Sequence, residues 1–275
     1  MGLQVWNGCL LLADFFLANP HLPNGIDNND IWVELGAGTG LCSIVAALSR
    51  DPTCAPKQIL CTDVGDQVLS VCQRNLEANR SLLADRRLPT HLLAAEVDFF
   101  SYDDDNRRVD IYDVSAGAQQ RDVELLPLLR RASTLFAADV IFDADVTKAF
   151  FQLLVDVMTE RGDDDDVGGA GGEGNSGGSE NGDGASRRLP SKTLYLALEK
   201  RVLFSIHDSE EPSSPVYDHF AACLEGLLAM KFETGFFEAE RLPIDFPQGF
   251  YKNYERNEYL ELWRLRFVFV SSGKE

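Results

Sequence analysis

Basic charge is what this chain is shortest of. Lys and Arg number 25 against 44 Asp and Glu, a formal net charge of -19, which argues against general affinity for DNA, RNA or anionic membranes and suits a basic partner better. There are only four histidines, and none sits at ligand spacing with the six cysteines, which include no C-x-x-C pair. No metal site is therefore expected. Cys9, Cys42, Cys54, Cys61, Cys72 and Cys223 lie mostly in apolar runs and read as buried free thiols in a reducing, intracellular setting, cytoplasm and/or nucleus. Long hydrophobic runs are missing too: Cys9 to Ala18 is broken by Asp14 and is far shorter than a membrane span, and it has no basic start of the kind a signal peptide carries.

What the chain does have is one informative stretch, Ile31-Trp32-Val33-Glu34-Leu35-Gly36-Ala37-Gly38-Thr39-Gly40, followed by the apolar run Leu41 to Leu48. It reads as a strand, a tight turn and a helix. Glycines in such a turn can adopt φ > 0 and let a ligand lie against the backbone, so the turn is the floor of a nucleotide-type pocket. The spacing is G-x-G-x-G with Leu41 where a dinucleotide fingerprint has its third glycine, and no P-loop lysine follows. Glu34 inside the strand is a poor neighbour for phosphates but a good one for the ammonium of a methionine moiety. Gln58 to Asp63 reads as a second strand whose terminal Asp63 can accept from both hydroxyls of a ribose. Together these features favour S-adenosylmethionine over NAD or ATP.

Taken in order, residues 5 to 18 form a helix that is apolar nearly all round, with Trp6 at its start. A helix follows strand two to about Asn79, and His91 to Val97 is strand three, running into Asp98-Phe99. Residues 101 to 121 are expected to be a loop of little fixed structure, and Asp122 to Arg131 a short helix capped by Asp122. Thr134 to Phe142 is an unalternating apolar strand, buried on both faces, with Asp139 at its end. A helix over 145–161 follows. Gly162 to Ser186 is Gly, Ser, Asp, Glu and Asn almost throughout, so 162–188 is expected to be a disordered surface loop. Thr193 to Glu199 is strand five, Val216 to Met230 a helix, and Phe232 to Ala239 with Leu260 to Val270 a closing antiparallel pair. The expectation is one α/β domain over 1–275, a doubly wound, seven-stranded Rossmann-like sheet with a C-terminal hairpin.

These segments resemble the family 16 methyltransferases, a class I, S-adenosylmethionine-dependent group that includes many protein lysine methyltransferases. The resemblance runs through Val5-Trp6-Asn7-Gly8, Glu34 to Leu41, Cys61-Thr62-Asp63-Val64 and Leu135 to Asp143, and continues in Leu198-Glu199-Lys200-Arg201 and Tyr217-Asp218-His219-Phe220. It implies that Trp6 lines the cofactor pocket and that Gly36, Ala37 and Gly38 hold the methionine end by backbone contacts. Glu34 and Gly40 would shape the turn, Asp63 would take the ribose, and Ala138 would back the cofactor. The family's Asp-Trp pair at the adenine is here Asp98-Phe99, and its acid followed by Tyr or Phe after strand four is Asp139-Val140-Ile141-Phe142.

A lysine amine, with a solution pKa of about 10.4, must lose its proton before it can attack the sulfonium methyl. A narrow, dry pocket lowers that pKa and aligns nitrogen, carbon and sulfur for displacement. Asp139 is assigned to orient the amine and Phe142 to form an apolar wall. A protein substrate, with no nucleic acid and no membrane, is the expected partner. Methyltransfer to another nitrogen or to a small molecule, and a non-catalytic cofactor-binding interaction protein, stay open alternatives, because a fold does not fix a function.

Overall fold

A computed structural model describes residues 2–22, 30–85, 88, 90–104, 107–160, 191–203 and 213–270. The loop expected over 162–188 lies outside the described residues. The elements are α1 (Asn7–Ala18), β1 (Ile31–Leu35), α2 (Leu41–Ser49), β2 (Gln58–Asp63), α3 (Asp66–Asp85), β3 (His91–Glu96), β4 (Arg108–Asp113), β5 (Ala118–Glu124), α4 (Leu125–Arg130), β6 (Ala132–Ala138), α5 (Ala144–Met158), β7 (Ser191–Glu199), α6 (Pro215–Ala229), β8 (Gly235–Leu242) and β9 (Leu260–Phe269).

The strands form one sheet in the order β5-β4-β3-β2-β1-β6-β7-β9-β8. The chain walks outward from β1 to β2 and β3 in parallel, returns to the other side of β1 for β6 and β7, again in parallel, and closes with β9 inserted antiparallel between β7 and β8. The seven expected strands are thus present with their closing hairpin. Two further strands extend the far edge: β4 and β5, an antiparallel hairpin hung on β3. This corrects the expectation of an unstructured loop over 101–121. Asp122 is likewise no helix cap; it lies in β5 at φ 59 and its carboxylate pairs with Arg108 at 2.8 Å.

β1 is buried at every position, because both faces of the sheet are covered by helices. Alternate residues feed two cores. Val33, Leu35, Leu60 and Leu135 face α5 and α6 through Phe150, Leu154 and Phe220. Trp32, Ile59, Cys61 and Phe136 face α1 and α2, with Phe16 and Trp32 at 6.1 Å and Phe16 edge-on to Phe136 at 5.2 Å between ring centres. The near-continuous apolar surface of α1 follows from this placement, since Gly8 and Leu10 to Phe16 are all buried. Asp14 within that run is fully buried, and its carboxylate accepts from the Gly249 and Phe250 N–H groups, Tyr254 Oη and Arg256 Nη2. It fastens the loop before β9 onto α1.

Candidate functional site

The reversal of strand order on either side of β1 opens a crevice at the carboxyl ends of β1, β2 and β6, the position where ligands bind in open α/β sheets. Gly36, Gly38 and Gly40 form the turn at that end of β1, all in the left-handed region at φ 71, 53 and 76, with the Gly2 backbone lying against Gly38. Side chains there would be strained and would also collide. A Cβ on Gly36 would stand 2.7 Å from Val140 Cγ1, and one on Gly40 would stand 2.9 Å from Cys72 Sγ. The turn is fixed to β2 by the Ala37 N–H donating to the Thr62 carbonyl at 2.7 Å. The Gly38 N–H donates to Asp63 Oδ2, also at 2.7 Å, while Asp63 Oδ1 accepts from the Val64 N–H. Glycine loop and terminal acid of β2 therefore form one hydrogen-bonded unit.

Glu34 takes a different place from an open ammonium partner. It is buried under the first turn of α2, where its carboxylate accepts from the Ser43 N–H at 3.0 Å and from the Ser43 hydroxyl. Burial pushes its carboxyl up from 4.5 to about 8, against the pull of those two hydrogen bonds. Its contact is with the loop and helix from beneath. At the end of β3, Asp98 turns back on its own loop, accepting from the Phe100 N–H at 3.0 Å and from Ser101 Oγ. The Phe99 ring packs 5.5 Å from Phe150 in the core beneath.

A second cluster forms at the carboxyl ends of β6 and β7. Ala138 ends β6, paired with Ala197, and Asp139 follows with φ 55. Asp139 Oδ2 accepts from the Gly8 N–H at 2.7 Å and Oδ1 from the Glu199 N–H at 2.9 Å, so one carboxylate ties the start of α1 to the end of β7. Burial raises its pKa to about 6; the two backbone donors oppose the rise and the nearby Glu199 carboxylate adds to it. Glu199 is held in turn by Asn7 and Asn257. Arg201 lies with its guanidinium 5.0 Å from the Trp6 ring and 5.7 Å from the Phe142 ring. The tertiary structure thus brings Trp6, Asp139 and Phe142 together, and adds Asn7, Gly8, Glu199 and Arg201, to which sequence reasoning gave no role in the site. The available signal was a charged triplet, Glu199-Lys200-Arg201, at the ligand-facing end of a buried apolar strand.

All six cysteines are free thiols, with Cys42, Cys61 and Cys72 buried and the other three half-buried. Among the described residues no helix is long and apolar enough to cross a membrane, and no group of His, Cys, Asp and Glu is placed to hold a metal ion.

The strand order with its inserted antiparallel β9, and the glycine cradle at its switch point, define a class I methyltransferase fold. Residues 1–98 match the family described as lysine methyltransferase, in agreement with the resemblance read from the sequence. The chain is similar to methyltransferase-like protein 22 of Homo sapiens, 32% identical over 265 residues that make up 96% of this chain and 54% of that protein. It is similar to the Mus musculus protein of the same name, 31% identical over 96% of this chain and 55% of that one. The chain therefore spans about half the length of the curated relatives it matches. Among solved structures, a geranyl diphosphate methyltransferase in complex with SAM overlaps 95% of this chain and 85% of its own, at 8% identity and a TM-score of 0.43.

Proposed function

We propose that this chain is an S-adenosylmethionine-dependent methyltransferase whose acceptor is a lysine side chain of a protein. The observation that carries the reading is the cradle of three left-handed glycines joined to Asp63 at the switch point of a methyltransferase sheet, in a chain whose first 98 residues match the lysine methyltransferase family. The cofactor, once bound, supplies an electrophilic methyl group. Gly36, Ala37 and Gly38 present backbone to its methionine end, Asp63 has lone pairs left for ribose hydroxyls after accepting from Gly38 and Val64, and Ala138 leaves room beside it. Asp98 and Phe99 belong to the adenine side, where Asp98 retains acceptor capacity although its carboxylate now closes its own turn.

Asp139 and Phe142 stand on the acceptor side. A carboxylate offers about four acceptor positions; Gly8 and Glu199 use one on each oxygen of Asp139, and the others can receive the N–H of an incoming amine. Phe142 supplies an apolar wall that strips water from that amine and favours its neutral, nucleophilic form, and Trp6, assigned to the cofactor pocket, reaches the same Arg201 guanidinium as Phe142. No covalent intermediate with the chain is required. An acidic surface, net charge -19, favours a basic protein partner. The free cysteines support a reducing compartment, cytoplasm or nucleus, and the single sheet supports reading the chain as one methyltransferase unit.

The test is calorimetric titration with S-adenosylmethionine, with Asp63→Ala as control. Saturable binding that the substitution abolishes supports the reading and leads to a tritiated-methyl assay on lysine-rich protein fractions. A folded wild-type chain that takes up no cofactor would refute it and leave an interaction module with this fold as the better account.

A further inference from the structure

The neighbours Lys200 and Arg201 are treated differently by the fold. Lys200 is ion-paired with the fully buried Glu261 at 2.7 Å and stacks on Tyr217 at 4.1 Å. Arg201 has no carboxylate within ion-pair distance among the described residues, and its guanidinium is instead flanked by two aromatic rings, Trp6 from the start of α1 and Phe142 from the loop after β6. An arginine over two aromatic rings is held by cation–π attraction, a weaker restraint than a buried, hydrogen-bonded ion pair. The backbone of Arg201 is fixed, since its carbonyl accepts from Ser214 Oγ at 3.0 Å. A recess beside it, lined by Glu199, Val216 and Tyr217 among others, holds no more than about one water molecule, so a displaced guanidinium turns toward solvent rather than into it.

The surroundings are those of a general cation site. Two aromatic rings flank it, Asp139 lies near enough for the Arg201 charge to act on its carboxyl, and Glu199 is the adjoining carboxylate. A lysine ammonium asks for the same neighbours as it enters, before desolvation takes its proton.

We propose that Arg201 is a tethered occupant of the acceptor-lysine slot, filling the space between Trp6 and Phe142 in the resting enzyme and turning aside when a substrate lysine enters. The inference rests on the lysine methyltransferase reading above and deepens it. It gives the site a selectivity filter: a free amine must compete with an intramolecular cation, and only a lysine whose surrounding peptide adds binding energy displaces it. A small amine lacking such a peptide is disfavoured.

The probe is n-butylammonium, a lysine side chain without its backbone, titrated by ligand-observed NMR against the full chain, Arg201→Ala, Arg201→Gln and Trp6→Ala/Arg201→Ala. Circular dichroism verifies the fold of each variant, and Arg201→Gln keeps most of the aliphatic stem should the alanine variant fail to fold. An occupant that fills the slot about nine-tenths of the time weakens an external ligand about tenfold, so removing it is expected to tighten butylammonium by about that factor. The gain is expected to vanish in the double variant. Equal affinity in wild type and both single variants overturns the proposal, as does a gain that survives removal of Trp6. S-adenosylhomocysteine is titrated separately and is expected to bind wild type and Arg201→Ala alike. Its failure to bind would sink the methyltransferase reading, while the butylammonium series reports on the slot by itself.

Discussion

The Asp139 carboxylate and the Gly8 N–H meet at 2.7 Å across 131 positions of sequence. Gly8 is buried there, and a Cβ added to it would lie 2.6 Å from Asp139 Oδ2. The entry of α1 and the end of β6 are thus fitted to each other without room for a methyl group. Gly8→Ala is expected to destabilise the chain by about 1–3 kcal/mol, the ordinary cost of overpacking, and to lower methyl transfer by moving Asp139. Urea unfolding and turnover of the same sample measure both, and an unchanged pair of values would show that α1 shifts freely.

Asp139→Ala removes two charge-assisted hydrogen bonds and leaves the Gly8 and Glu199 N–H groups without their acceptor. A loss of about 2–4 kcal/mol is expected, with turnover cut much more than S-adenosylhomocysteine affinity. Affinity falling in step with turnover would instead place Asp139 on the cofactor side.

Activity should rise with pH through the titration of Asp139, at about 6. Below that value the carboxyl is protonated and is a weaker acceptor toward backbone and amine; the acceptor lysine also needs to shed its proton, which acts in the same direction. A pH profile of kcat/KM that is flat across the titration of Asp139 would contradict this role.

Stability should run the opposite way on account of Glu34. Its folded pKa of about 8 lies above the 4.5 of the unfolded chain, so the folded state binds the extra proton. The contribution is fully present below about pH 4.5 and is lost as the pH rises toward 8. Glu34→Gln, a neutral mimic that can still accept from Ser43, is expected to flatten this decline in the unfolding midpoint. Parallel curves for variant and wild type would show that Glu34 is ionised throughout.

Gly36→Ala places a Cβ at φ 71 and 2.7 Å from Val140 Cγ1. A cost of about 1–2 kcal/mol from the left-handed backbone alone is expected, with loss of cofactor binding as the loop is displaced. Retained calorimetric affinity would mean that the loop adapts.

The strand-turn-helix around Gly36 to Gly40 was legible because its signals are local: alternate glycines, a β-branched run before them and good helix formers after. The hairpin of β4 and β5 was not. Val109 and Ile111 alternate in β4, but β5 is exposed along nearly its whole length, so no apolar periodicity marks it; it forms because β4 offers an unpaired edge. Asp14 looked like a mere interruption of an apolar helix, whereas its four donors come from residues 249 to 256, far along the chain.

The sequence by itself determined the buried strands, the glycine turn and the acids at the strand ends, because each is marked by residues within a few positions of one another. Only the tertiary structure decided what those acids touch. Glu34 went beneath α2, Asp139 was claimed by the backbone of Gly8 and Glu199, and Arg201 came to rest between Trp6 and Phe142. Hydrogen bonds and cation–π contacts between residues remote in sequence are set by how whole strands and helices pack, and such partners leave no periodic trace in the chain.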